Sequence, residues 1–169
     1  EGDVENIVKL INHAERPVLY IGQGTVAAEA AEEVRELVSK ADIPAVHTLM
    51  AAGVVRFDDP HNLGMIGMHG TVAANRAVDK ADLVIAVGGR FSDRVALNPK
   101  KWAQKAKIVQ IDIDRSEINK NVKVDCAARC DIKDFLDAAL PLVEKKKRTE
   151  WNKTVSAWKV KEFGSNVKE

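Results

Sequence analysis

The run Leu83-Val84-Ile85-Ala86-Val87 carries no polar residue at any alternate position. A strand with one wet face alternates; an unbroken run rich in β-branched residues is a strand covered on both faces. Similar runs recur at Pro17-Val18-Leu19-Tyr20-Ile21 and Lys107-Ile108-Val109-Gln110-Ile111-Asp112, with a shorter one at Pro44-Ala45-Val46-His47 and a weak one over 126–130. Segments of helical period lie between them. Val4, Ile7, Leu10 and Ile11 make one apolar stripe, and Ala30, Ala31, Val34, Leu37 and Val38 make another within a helix expected over 27–41. A third helix is expected over 71–80. A fourth, capped by Asp131, is expected to run to about residue 146. Strands alternating with helices predict an α/β fold: a Rossmann-like, doubly wound parallel sheet in a single domain.

The stretch through Gly53, Pro60 and Gly64 reads as irregular, and 144–148 (Glu-Lys-Lys-Lys-Arg) as a solvated linker. The domain is therefore drawn at 1–146, with 147–169 a linker and C-terminal amphipathic helix. Trp151, Val155 and Trp158 share a face of that helix. They either fold back onto the sheet's helices or pack against a further domain.

Bulk composition excludes several classes. The 169 residues carry 26 basic and 25 acidic side chains, a net charge of +1, which gives no reason to expect nucleic acid or a membrane surface as partner. No stretch is apolar enough to span a bilayer. The two cysteines, Cys126 and Cys130, lack metal-site spacing and form no disulfide framework. Glu1 in place of an initiator Met reads as a processed or excised chain.

Ligands of open parallel sheets bind beyond the carboxyl ends of the strands. At the first such end, Gly22-x-Gly24-x-x-Ala27 fits a dinucleotide turn, but the second strand ends in His47-Thr48 with no acid for a ribose. A tight turn without ligand explains the glycines equally. Gly64-Met65-Ile66-Gly67-Met68-His69-Gly70 reads as a loop whose amides can face a ligand, leading into a helix N-terminus. Met65 and Met68 suit either a core or a flat ring. His69 is open between a structural role and a contact. Gly88-Gly89-Arg90-Phe91-Ser92-Asp93-Arg94 follows the most buried run; the two arginines suit bidentate phosphate binding, against the alternative of a surface ion pair with Asp93. Asp112 and Asp114 share a face if strand geometry persists, and can accept from sugar hydroxyls. Asp131 either does the same or merely caps its helix.

These motifs, together and in this order, resemble the central domain of the acetolactate synthase (acetohydroxyacid synthase) catalytic subunit, a thiamine-diphosphate enzyme. The resemblance covers residues 4–143. It implies a six-stranded parallel sheet that binds FAD, a cofactor not consumed in the non-redox reaction. By that resemblance Gly22, Gln23 and Gly24 contact the nucleotide's backbone side, and Thr48, Leu49, Met68 and His69 approach FAD along its length. Gly89, Arg90, Asp93, Arg94 and Val95 hold the pyrophosphate and ribityl region, and Asp112, Ile113, Asp131 and Ile132 bracket the adenosine. The Gly-Asp-Gly motif that holds thiamine diphosphate and Mg2+ has no match here, so those cofactors belong to flanking domains of a parent enzyme. The resemblance thus implies no catalytic or metal-ligating residue in this chain. It implies partnership with the flanking domains and a second subunit, with a homodimer as one option. The expected compartment is the cytoplasm, or an organelle if the source is eukaryotic. Two alternatives stay open: a central domain that only scaffolds, without flavin, and an NAD-binding Rossmann domain.

Overall fold

The structure is a computed structural model that describes residues 2–89, 106–113 and 124–165, with side chains described to residue 159. Six strands form one sheet: β1 (Pro17–Ile21), β2 (Ala45–His47), β3 (Asn62–Met65), β4 (Leu83–Val87), β5 (Lys107–Asp112) and β6 (Cys126–Arg129). Every pairing is parallel, in the order β3-β2-β1-β4-β5-β6. This is the doubly wound order, with its switch point between β1 and β4.

Alternate residues of each strand feed two cores. Leu19, Ile21, Ile85, Val87, Val109 and Ile111 face one layer, with α1 (Gly2–His13), α3 (Ala31–Ala41) and α5 (Ile132–Ala139). Val18, Tyr20, Val84, Ala86 and Ile108 face the other, with α4 (Val72–Lys80) and α6 (Thr149–Ser165). Among the described residues no helix is long and apolar enough to cross a membrane.

The helix expected over 27–41 begins only at Ala31, and a separate short helix precedes it. A short α2 (Gln23–Ala27) ends when Glu29 enters the left-handed region at φ 56° and Ala30 N–H reaches back to the Thr25 carbonyl at 3.1 Å. That Schellman-type stop usually takes glycine, so Glu29 gives no warning of it. The region read as irregular holds β3. Asn62 and Gly64 are poor strand formers, and β3 forms because β2 supplies a ladder and Lys159 Nζ caps the Asn62 carbonyl at 2.8 Å. The α5 helix stops at Ala139 rather than near 146, where Pro141 enters a 3-10 turn, Leu140–Leu142, because proline cannot donate to the helical ladder.

The stretch read as a solvated linker is docked. Arg148 is 5% exposed. Its Nε donates to the Ala14 carbonyl (3.0 Å), Nη2 to Ile11 (2.6 Å) and Nη1 to Ala41. These are carbonyls at the C-terminal ends of α1 and α3, where the helix leaves acceptors unpaired. Beyond it the tail folds back on the sheet: Trp151 and Val155 are buried in the second core, the Trp151 indole donates to the Pro17 carbonyl at 2.9 Å, and Trp158 stands edge-on at 6.1 Å.

Candidate functional site

Glycine allows two backbones to meet at the switch point. A Cβ on Gly22 would lie 2.2 Å from Gly89 Cα, one on Gly24 would lie 2.8 Å from Gly88 Cα, and one on Gly88, at φ +63°, would lie 2.6 Å from the Thr25 amide. The contact is hydrogen-bonded: Gly22 N–H donates to Val87, Gly24 N–H to Gly88, and the buried Thr25 hydroxyl to Val87, all at 3.0 Å. What approaches these glycines most closely is therefore the opposite turn of the chain. The Tyr20 ring packs directly beneath Gly89, and its burial pushes the phenol's pKa well above the ordinary value.

The glycine floor runs along the carboxyl edge of the sheet, and the edge collects most of the residues singled out by sequence. Thr48 follows β2 half-buried, and Leu49 (72% exposed) opens a 3-10 turn. Met68 (69% exposed) and His69 follow β3, both in water, so Met68 is not a core residue. Met65 is half-buried within β3. Asp112 ends β5 buried, and Ile113 beyond it is 64% exposed. Gly89 follows β4; Arg90, Asp93, Arg94 and Val95, together with Asp114, lie outside the described residues.

One expectation needs revision. The loop at 64–70 does not present a free row of amides: Ile66 N–H donates to His47, Gly67 N–H to Asn75 Oδ1, Gly70 N–H to Gly67 and Thr71 N–H to Met65. Thr71 also caps α4 by accepting from Ala74 N–H at 3.1 Å. Asp131 does cap its helix, accepting from Asp134 N–H at 3.0 Å, and the Ile132 side chain is spent in the first core. Any contact of Ile132 with a ligand would come from its backbone.

Sequence reading missed Thr25, whose hydroxyl pins the β1 and β4 ends together, and gave no contact role to Met50, 62% exposed beside Leu49. A threonine after a glycine turn carries no such signal, whereas an exposed Leu-Met pair is an apolar cost that a partner or ligand would relieve. Among the described residues no group of three His, Cys, Asp or Glu side chains could hold a metal. Burial, chiefly, raises the thiol pKa of both Cys126 and Cys130, which disfavours the thiolate a nucleophile needs.

The sheet order, the glycine contact at the switch point and the match of residues 4–139 to the family described as "Thiamine pyrophosphate enzyme, central domain" coincide. The chain belongs to that family. Similar proteins include the acetolactate synthase isozyme 1 large subunit of Escherichia coli, 41% identical over 92% of this chain and 27% of the relative. Acetolactate synthase 1, chloroplastic, of Zea mays is 45% identical over 83% of this chain and 22% of the relative. Acetolactate synthase 2, chloroplastic, of Nicotiana tabacum is 41% identical over 94% of this chain and 24% of the relative. The chain thus spans about a quarter of the length of these relatives. The family match ends with the last residue of α5, so α6 completes the second core from beyond the matched span of this central domain.

Proposed function

We propose that this chain serves as the central domain of an acetolactate synthase and holds FAD across the carboxyl edge of its sheet. In the whole enzyme, two pyruvates would join with loss of CO2 on thiamine diphosphate bound by flanking domains with Mg2+, and the central domain would contribute cofactor binding and dimer scaffolding. The observation that carries the ligand claim is the rim of large apolar side chains, Leu49, Met50, Met68 and Ile113, exposed along the same edge as the glycine floor. Five inter-strand gaps of about 4.8 Å make that edge about 24 Å long, room for an extended dinucleotide. The groups fit such a ligand in order: apolar side chains after β3 and β2 for a flat ring, glycine backbone free of side chains after β1 and β4 for a pyrophosphate, and Asp112 after β5 with the Asp131 oxygen not used in its helix cap for sugar hydroxyls. Gly22, Gln23, Gly24, Thr48, Leu49, Met68, His69, Gly89, Asp112, Ile113, Asp131 and Ile132, with Arg90, Asp93, Arg94 and Val95, would hold it. FAD would supply a bound flavin ring and no redox step in the overall reaction.

One observation favours the scaffold-only reading: the amides of Gly24, Thr25, Gly67 and Gly70 are already accepted inside the protein. Titration of FAD against the chain, followed by flavin fluorescence quenching, separates the two. Saturable quenching weakened by Arg90→Ala with Arg94→Ala supports the cofactor site; no saturable quenching at high FAD leaves the scaffold. Stabilisation by NAD in preference to FAD would overturn both.

A further inference from the structure

At the opposite end of the molecule, between the C-terminal end of α3 and the first turns of α6, lies a cleft of about 750 Å3. Lys40, Lys145, Lys146, Lys147 and Lys153 all line it, on a chain whose net charge is only +1. Among the described residues none of these five is in an ion pair. The one carboxylate in the lining, Asp42, is already engaged: it lies 2.6 Å from His61 Nε2 and accepts the Arg148 amide at 2.8 Å. Lysines therefore outnumber carboxylates in the lining by five to one, although Glu36 and Asp137 stand on the far side of Lys40 and Glu150 lies in the first turn of α6, and such an excess favours a bound anion.

Two of the cations are held in place. Lys40 Nζ donates to the Leu140 carbonyl at 2.7 Å and Lys146 Nζ to the Asn12 carbonyl at 2.8 Å. A neutral carbonyl fixes an ammonium without neutralising it, and each ammonium keeps two further protons to donate. The Lys146 amide is itself tied to the Lys40 carbonyl at 3.1 Å, so the two walls are joined at the floor. Thr149, Asn152 and Ser156 add polar groups from α6, and the first turn of this 17-residue helix brings the positive end of its dipole.

We propose that this cleft binds a small polyphosphate-bearing anion. Its volume is that of a small-molecule site. Lysine is a point-charge binder of phosphate, and a site of several lysines without arginine suits clustered phosphates better than single planar carboxylates.

The test uses inorganic triphosphate and the full chain, by calorimetric titration at low and moderate salt. One saturable site is expected. The triple variant Lys145→Gln, Lys147→Gln, Lys153→Gln should weaken it by roughly tenfold or more, from loss of three close charges. The exposed control triple Lys9→Gln, Lys80→Gln, Lys107→Gln should leave it unchanged. No saturable binding, or equal weakening in both triples, overturns the proposal. So does tighter binding of hexaglutamate than of triphosphate. If Arg90→Ala with Arg94→Ala abolishes triphosphate binding while the lysine triple does not, the anion sits at the other edge of the sheet. This cleft is then refuted while the proposed cofactor site stands.

Discussion

Arg148→Met removes one guanidinium and leaves the carbonyls of Ile11, Ala14 and Ala41 without their donor. Each buried acceptor left unpaired costs about 1–3 kcal/mol. Burial itself lowers the pKa of the Arg148 guanidinium, partly offset by Asp82 and Asp42, and the substitution relieves that desolvation. Relief of several kcal/mol per buried ion takes back part of the loss, leaving a net destabilisation of about 2–4 kcal/mol. For a chain of this size each kcal/mol moves Tm by roughly 2–4 °C, so a fall of about 4–16 °C is expected. Arg148→Lys keeps the charge but offers one head in place of a fork, and should recover less than half of the loss. Urea unfolding followed by tryptophan fluorescence, paired with calorimetry, measures both variants. If the Arg148→Met protein lies within about 0.5 kcal/mol of the parent, the range of ordinary surface substitutions, the three-carbonyl clamp is not what holds this segment. An Arg148→Lys protein as stable as the parent would show charge, not fork geometry, to be the cause.

Gly88→Ala drives a Cβ into the Thr25 amide and should abolish soluble expression, whereas Gly53→Ala, at φ +93° with open space around it, should cost only about 1–2 kcal/mol of backbone strain; thermal melts compare the two. Burial tends to raise the Asp42 pKa, but the hydrogen bonds and charges of His61 and Arg148 outweigh it and hold the carboxyl below its ordinary value. A depressed folded-state pKa means stability present above the unfolded carboxylate range and lost as pH falls through the folded value. The urea midpoint gap between the parent and Asp42→Asn should therefore shrink as pH falls below about 5, through the carboxylate range and beyond it, and a constant gap would refute the linkage. Deleting residues 149–169 uncovers the second core: burial of Trp151 and Val155 alone is worth about 5–9 kcal/mol, comparable to the stability of a whole domain. The shortened chain should bind 8-anilinonaphthalene-1-sulfonate and lose cooperative unfolding.

The strands buried on both faces were legible because unbroken apolar runs admit few other structures. Leu83–Val87 and Pro17–Ile21 lie where their sequence puts them. β3 was not legible, since Asn62 and Gly64 pair only because β2 is already in place beside them. The left-handed stops at Glu29 and Asp42 were silent for a related reason: tertiary contacts hold non-glycine residues in a conformation their own preferences oppose. At the candidate site, residue types at strand ends were readable, but which amides remained free was not. A glycine-rich loop can face outward or fold on itself, and Asn75, in the helix that follows, decides that Gly67 does the latter.

Local pattern by itself determined the fold class and the two-sided burial of the sheet, because period and strand polarity are properties of short segments. Only the tertiary structure decided that Gly22 and Gly24 meet Gly88 and Gly89, and that a lysine-rich stretch read as linker is anchored by Arg148 into the ends of two helices. Contacts such as that from Arg148 to Ile11 join residues more than a hundred positions apart. Their energy depends on burial and orientation that no local pattern encodes.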